Sequence, residues 1–327
     1  MDRFENLSLH LPNMVTITFP GTSSALKALL KERGLRPRKH LGQNFLVDQN
    51  LLRVIVEKAA VGDRDIILEV GSGTGLLTRH LAERAHRVLA VEIDPRLYGL
   101  TMELLQGYAN VHFLNKDVLK TKTTIDPEIE AVILHWLKEE VGVEHVQPLR
   151  LKVVSNLPYS ISTPFIIAIL TGGLPVECMV LTLQRDIVDR LLARPGTKEY
   201  GVLSVIAQLF SDVELLRQLP PDVFWPVPQV ESAIVRMTVR RERALERIPD
   251  LPLFNRLVRC VFQSRRKTLI NSLLKLGLPS LSKEAVMDVL KGLGLEPRIR
   301  GEALDPEGFT ALLREIHLLT GSSTAKR

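Results

Sequence analysis

The chain has 327 residues, 45% hydrophobic and 24% charged, enough for one large core with a smaller domain beside it. Its two cysteines, Cys178 and Cys260, stand outside any C-x-x-C or Cys/His cluster, which argues against a disulfide framework or structural zinc and for a reducing cytoplasm. No apolar run reaches the roughly 18 residues of a membrane span, and the net charge of +6 is unevenly placed: residues 233–277 carry 11 Lys/Arg against three acids, a field that gathers polyanions.

Residues 1–36 read as an N-terminal extension holding one short helix, 24–33, closed by Gly34. Three acids, Asp2, Glu5 and Glu32, make it a poor transit segment. A basic, turn-prone stretch from Arg36 to Leu46 follows. Asp48 then caps an amphipathic helix with apolar positions 51, 52, 55, 56 and 59. From residue 65 the pattern alternates: strand 66–70, glycine loop 71–75, helix 76–84, strand 87–92, helix 95–108, strand 111–114. Such alternation predicts an α/β fold with a mostly parallel, doubly wound sheet. An amphipathic piece around 129–141 sits within 121–150, before the next strand at 151–154. Further strands are predicted at 178–183, 213–219 and 232–239, with a helix over 201–210. After Arg240 the chain reads as short helices divided by Gly and Pro. The predicted organisation is therefore an extension (1–36), an α/β domain (37–241) and a small helical domain (242–327).

Three strand ends carry polar groups suited to an adenosine-like ligand. The loop Gly71-Ser72-Gly73-Thr74-Gly75 follows a strand and opens a helix, so its glycines let backbone N–H groups approach a ligand. It departs from the dinucleotide pattern G-x-G-x-x-G because Leu76 occupies the third glycine's place. Glu92 ends the second strand, where a carboxylate chelates ribose hydroxyls. Asp117 follows the third, placed for an adenine amine.

The fourth strand ends in Asn156-Leu157-Pro158-Tyr159. An isolated N-x-P-Y is more often a strand followed by a proline turn, but these neighbours give it chemistry. An adenine amine is a poor nucleophile because its lone pair is delocalised into the ring. The Asn156 side-chain oxygen and the Leu157 carbonyl together accept both amine N–H bonds and return that lone pair to nitrogen. Pro158 fixes the backbone, and the Tyr159 ring offers a stacking face to a base turned out of its helix. No metal is needed.

From about Arg38 to Ala311 the chain resembles the KsgA family of small-subunit ribosomal RNA adenine N6,N6-dimethyltransferases. The motifs are Gly42-Gln43-Asn44-Phe45-Leu46, Glu69-Val70-Gly71 with its loop, Asn156 to Pro164, Lys198 to Val205, Pro220-Pro221-Asp222-Val223-Phe224, and Phe262-Gln263-Ser264-Arg265-Arg266-Lys267-Thr268. The resemblance implies a Rossmann-like methyltransferase using S-adenosyl-L-methionine, with cofactor contacts at Asn44, Leu46, Gly71, Glu92, Asp117 and Asn156, to which the loop adds Gly73. It implies target-base contacts at Asn156, Leu157, Tyr159 and Phe224. The expected substrate is a pair of adjacent adenines near the 3′ end of 16S RNA, modified during assembly of the small ribosomal subunit by a monomeric enzyme. The leader and the 117–156 segment are longer than the family's usual pattern.

The basic helical part supplies RNA-binding candidates. Arg256, Arg259, Gln263 and Arg266 fall on one stripe at helical spacing, with Arg265 and Lys267 beside it, and a stripe of this kind follows a phosphate backbone. Three rival readings remain at this stage. A nicotinamide enzyme would share the glycine loop and Glu92 but has no use for Asn-Leu-Pro-Tyr. An Erm-type large-subunit RNA methyltransferase shares the fold and the motif chemistry. A non-catalytic RNA-binding assembly factor would not need Glu92, Asp117 and Asn156 intact.

Overall fold

The computed structural model describes residues 19–20, 22–139 and 148–324. Residues 1–18 and 21 of the expected N-terminal extension and 140–147 of the 121–150 segment, with the last two residues of the amphipathic piece 129–141, lie outside those residues. The first helix, α1 (Ser23–Glu32), begins where the Thr22 hydroxyl accepts the Ala25 amide at 3.1 Å. It is built into the fold rather than appended: Leu26 and Leu30 are fully buried, and the Arg33 guanidinium forks onto both Glu103 carboxylate oxygens at 2.9 and 3.0 Å. Helix α2 (Gln49–Lys58) starts at its predicted cap, with Asp48 Oδ1 accepting from the Asn50 and Leu51 amides.

The alternating region then lays down β1 (Asp65–Val70), α3 (Leu76–Ala82), β2 (Arg87–Glu92), α4 (Pro95–Leu104), β3 (Val111–Asn115), α5 (Pro127–Glu139), β4 (Arg150–Asn156), α6 (Ser162–Thr171) and β5 (Val176–Gln184). After α7 (Arg185–Leu191) and α8 (Val202–Phe210) come β6 (Ser211–Leu219) and β7 (Ser232–Val239). Among the described residues these strands form one seven-stranded sheet in the order β3-β2-β1-β4-β5-β7-β6. The first five are parallel, and β7 runs antiparallel between β5 and β6. Helices cover both faces of the sheet at its centre, and every residue of β1 is buried.

The order of the strands positions the site. The chain leaves β1 toward β2 and β3 on one side, then returns to place β4 on the other, so the connections after β1 and β4 diverge and open a crevice beyond the strand ends. At the opposite end, Lys152 enters β4 as a buried lysine. Its ammonium bonds Asp65 Oδ2 at 2.8 Å and the Ala59 and Ala60 carbonyls at 3.0 and 2.8 Å, which clamps the end of α2 to the sheet.

The predicted strands are all present. Additional to them are a two-residue pairing of Phe45–Leu46 with Phe224–Trp225, a hairpin of Leu119–Thr121 with Thr124–Ile125, and the helices α6 and α7. The hairpin and pairing are too short to carry a period of two residues.

Past β7 the described residues form helices: α9 (Arg241–Leu245), α10 (Leu251–Phe262), α11 (Leu269–Leu273), α12 (Lys283–Gly292) and α13 (Pro306–Thr324). They share an apolar core with α8. The rings of Tyr200, Phe262 and Phe309 meet at 5.7 and 5.8 Å between centroids, and the Tyr200 hydroxyl donates to the Leu304 carbonyl at 2.8 Å.

Candidate active site

A cavity of about 230 Å³ opens at the ends of β1, β2 and β4. The glycine loop supplies one wall because all three of its glycines have positive φ, Gly71 at 75°, Gly73 at 58° and Gly75 at 76°. At Gly71 a side chain is excluded for a second reason: a Cβ there would sit 2.6 Å from Pro158 Cγ. The proline of Asn-Leu-Pro-Tyr thus rests on the glycine loop, and two sequence motifs 85 residues apart form one surface. The opposite wall is the 41–45 segment. Gly42 lies against the Tyr159 and Ser160 amides, where an added Cβ would meet their nitrogens at 3.0 and 3.1 Å.

Glu92 is buried, and backbone amides hold both of its oxygens: Gly73 N–H donates to Oε2 and Asp94 N–H to Oε1, each at 2.9 Å. Burial raises its pKa, and these two hydrogen bonds work against that rise. Asp94 carries the alignment outward. Its carboxylate accepts from the Arg96 guanidinium at 3.0 and 3.2 Å and from Gln43 Nε2 at 3.4 Å, with Arg38 Nε 3.5 Å away. Burial pushes the Asp94 pKa up, and the Arg96 bonds more than offset it, leaving it low. The basic loop is therefore tied to the carboxylate next to Glu92.

Asn156 sits at the junction of these walls. Its Nδ2 donates to the Asn44 carbonyl at 2.8 Å, which sets the amide's orientation, and its Oδ1 is buried without a partner. A buried acceptor left unpaired costs about 1–3 kcal/mol, so this oxygen is held ready for a donor that approaches through the crevice. Leu157, Pro158 and Tyr159 continue along the same wall. The Tyr159 hydroxyl shares a 2.9 Å hydrogen bond with Ser232 Oγ, and burial pushes its pKa up, so it is a poor proton acceptor at neutral pH.

The crevice brings together Asn44, Gly71, Gly73, Glu92, Asp117, Asn156, Leu157 and Tyr159. Asp117 stands at its exposed rim, two residues beyond β3, with Oδ1 accepting the Leu119 amide at 2.9 Å. Leu46 borders instead a recess of about 30 Å³ beneath the glycine loop, which Asn156 also lines. Phe224 does not border the crevice: it is 1% exposed, paired with Leu46 and packed in the core, so in this structure it offers no face to a base. Phe45, tilted against Trp225 at 6.2 Å, is an aromatic wall that the motif contained and the sequence reading did not single out.

Glu69 was also missed as a site residue. It lies in the small recess, its Oε2 has no partner, and burial pushes its pKa up to about 8. An acid in the middle of the apolar run Ile66-Ile67-Leu68-Glu69-Val70 is the signal that marks it.

The basic candidates divide. The helical stripe stops early because α10 ends at Phe262, so Gln263 and Arg266 lie in a turn beyond it. Arg256 Nη2 donates to the Leu276 carbonyl at 2.7 Å, closing a neighbouring turn. Arg265 is held by three acceptors within the protein. Arg266 and Lys267 are exposed, and Arg259 is half-buried. No group of His, Cys, Asp and Glu able to hold a metal occurs among the described residues.

A sheet of this order, with a glycine loop after β1, a carboxylate at the end of β2 and Asn-Leu-Pro-Tyr after β4, defines a Rossmann-like methyltransferase. The family model "Ribosomal RNA adenine dimethylase" matches residues 34–292. Ribosomal RNA small subunit methyltransferase A of Moorella thermoacetica is 39% identical over 303 residues, covering 93% of this chain and 99% of that one. The protein of the same name from Geobacillus thermodenitrificans is 39% identical over 293 residues, 89% of this chain and 94% of its own. Among solved structures, a dimethyladenosine transferase from Plasmodium falciparum superposes with a TM-score of 0.65 at 26% identity, covering 84% of this chain and 98% of that chain. The 23S rRNA methyltransferase ErmE gives 0.56 at 27% identity, with coverage of 84% and 99%. The chain belongs to the ribosomal RNA adenine dimethylase family.

The methyl donor of this family is S-adenosylmethionine, and the residues present fit it. The glycine loop leaves backbone room and Glu92 is aligned for a ribose diol.

Proposed function

We propose that this enzyme transfers methyl groups to the N6 amines of two adjacent adenines near the 3′ end of small-subunit ribosomal RNA, during subunit assembly and as a cytoplasmic monomer. The observation that carries the reading is Asn156: an amide fixed by the Asn44 carbonyl, with its own oxygen buried and unpaired at the crevice wall. The relatives' names point to the same RNA, and none of the described helices is long and apolar enough to cross a membrane.

When bound, S-adenosylmethionine presents an electrophilic methyl group on a sulfonium. Glu92 would accept from the ribose hydroxyls with the lone pairs left by its two backbone bonds, and Asp117 would accept from the cofactor's adenine amine. The target base stacks on Tyr159. Asn156 Oδ1 and the Leu157 carbonyl accept the two N–H bonds of its amine, so the nitrogen lone pair points out of the base and along the line of displacement. Transfer would form the N–C bond as the sulfonium's S–C bond breaks to leave a neutral thioether, and the amine, cationic once methylated, would shed a proton to solvent, so no strong base is required. The raised pKa of Tyr159 agrees with that.

Methylation of small subunits lacking the modification, followed by mass spectrometry of nucleosides and primer extension, tests the reading. N6,N6-dimethyladenosine at two neighbouring positions of the small-subunit RNA is the expected result. Methylation of large-subunit RNA alone would assign the chain to the Erm-type activity, and no transfer to either would make it a binding factor.

A further inference from the structure

Two motifs have no part in the crevice: Lys198-Glu199-Tyr200-Gly201, before α8, and Gln263-Ser264-Arg265-Arg266-Lys267, after α10. The structure joins them through one side chain. Arg265 Nε donates to Glu302 Oε2 at 2.8 Å, its Nη1 to the Lys198 carbonyl at 2.6 Å and its Nη2 to the Thr197 carbonyl at 3.0 Å. Glu302 is itself fixed, since its carbonyl accepts the Gly196 amide at 2.8 Å. The preceding Gly301 packs so closely on α10 that an added Cβ would lie 2.0 Å from Val261 Cγ1. Within the turn, the Lys267 amide donates to the Ser264 carbonyl at 2.8 Å and Lys275 Nζ donates to Ser264 Oγ at 2.7 Å. Three separated pieces of chain, 196–198, 263–267 and 301–302, therefore converge on one guanidinium. Its positive charge is countered by Glu302, and its planar fork faces two carbonyls that a single ammonium cannot span in the same geometry.

We propose that Arg265 is a positioning residue: it anchors the 263–267 turn so that Arg266 and Lys267 project toward RNA phosphates, and it is not itself a phosphate ligand. This deepens the RNA-modifying reading and rests on it. Anchor and ligand predict opposite signs at Glu302. If Arg265 contacts phosphate, removing the acid that neutralises it strengthens RNA binding or leaves it unchanged. If Arg265 is an anchor, losing either partner loosens the same turn.

The test measures binding of the full-length enzyme to undermethylated small subunits for Arg265→Ala, Arg265→Lys, Glu302→Ala and Glu302→Gln. Each is tested alone and together with Arg266→Ala/Lys267→Ala. Calorimetry with S-adenosylmethionine on the same preparations confirms that the crevice is intact. The anchor predicts that Arg265→Ala and Glu302→Ala both weaken subunit binding, on the order of tenfold. Arg265→Lys should fail to restore binding, Glu302→Gln should be milder than Glu302→Ala, and none should add to the loss in the Arg266→Ala/Lys267→Ala background. Hydrogen exchange in the free protein should also rise at 194–198 and 263–267 together in Arg265→Ala. Stronger binding by Glu302→Ala, full rescue by Arg265→Lys, or additive losses in the double background would each overturn the anchor. Failure of the wild type to bind subunits would count against the RNA-modifying reading instead, while the exchange measurement would still decide whether Arg265 orders the turn.

Discussion

The crevice and the turn after α10 both present polar side chains from recognisable motifs, yet the two regions use them in different ways. Around the crevice the buried groups are partly unsatisfied: Asn156 Oδ1 at its wall, and Glu69 Oε2 and Ser72 Oγ in the recess beneath the glycine loop, lack partners. Desolvation makes each such atom costly, and that cost is what a correctly placed ligand removes. In the turn, the inward-facing cation Arg265 is satisfied by three acceptors, while Arg266 and Lys267 stay exposed. An exposed charge in water contributes through long-range attraction and counterion release, not through alignment. A polar residue's burial and its unmet hydrogen bonds therefore say whether it performs chemistry, holds structure or gathers substrate.

Changes in the crevice should act on the chemical step, and a large effect is expected at Gly71. Gly71→Ala combines a strained positive φ with a clash against Pro158. Because a displacement near 1 Å costs about 10²-fold in rate, single-turnover transfer should fall by at least that much while subunit binding persists. A rate within a few-fold of wild type would mean that the two motifs do not depend on each other.

Tyr159 sharpens the contrast between ring and hydroxyl. Tyr159→Ala removes a stacking face worth about 1–3 kcal/mol per base, and Tyr159→Phe loses one hydrogen bond to Ser232, about 1 kcal/mol or less. Comparable defects in the two variants would show that the hydroxyl, not the ring, carries the function.

The buried acid of the recess beneath the glycine loop should appear in stability. Glu69 titrates near 8 when folded and near 4.5 in the ordinary state, so between those values the folded form holds a proton that the unfolded chain has released. Its contribution is intact below about 4.5 and is lost as pH rises toward about 8, with a slope of up to about 1.4 kcal/mol per pH unit. Glu92, raised in the same sense, adds to the trend. Denaturant unfolding of the cofactor-free protein across this range should show the decline, and Glu69→Gln should flatten it. An unchanged slope in Glu69→Gln would place the titration elsewhere.

The smallest change is expected on the exposed side. Arg266→Ala/Lys267→Ala should reduce the log–log salt slope of subunit binding by about 0.7–0.9 for each phosphate that is no longer neutralised. Cofactor affinity should not move. Salt titration that leaves the slope intact would make these two side chains a solvated face.

Much of this architecture was legible because it depends on local pattern. Strands 87–92 and 232–239 have their predicted bounds, and the Asp48 cap holds the helix it announced. The crevice residues Glu92 and Asn156 were legible because a strand end followed by a turn is itself a local signal. What was not legible depends on partners distant in sequence. The stripe read through Arg266 assumed that the helix continues, but α10 ends at Phe262. Arg265 looked like its neighbours until Thr197, Lys198 and Glu302 were brought to it. Phe224 pairs with Leu46 across 178 residues of sequence, a pairing without periodicity. Helix α1 looked peripheral because its two buried leucines are too few to announce a core face.

The central claim is that the unpaired Asn156 oxygen polarises the target amine. It is tested most directly by single-turnover methyl transfer from Asn156→Ala to undermethylated small subunits, at saturating cofactor and subunit. The account predicts a rate lower by about 10²–10³, the size of losing one preorganised polar group at a reacting centre, with subunit affinity nearly unchanged because phosphates supply most of it. A near-normal rate would contradict it and leave Asn156 as the residue that ends β4 and tethers Asn44.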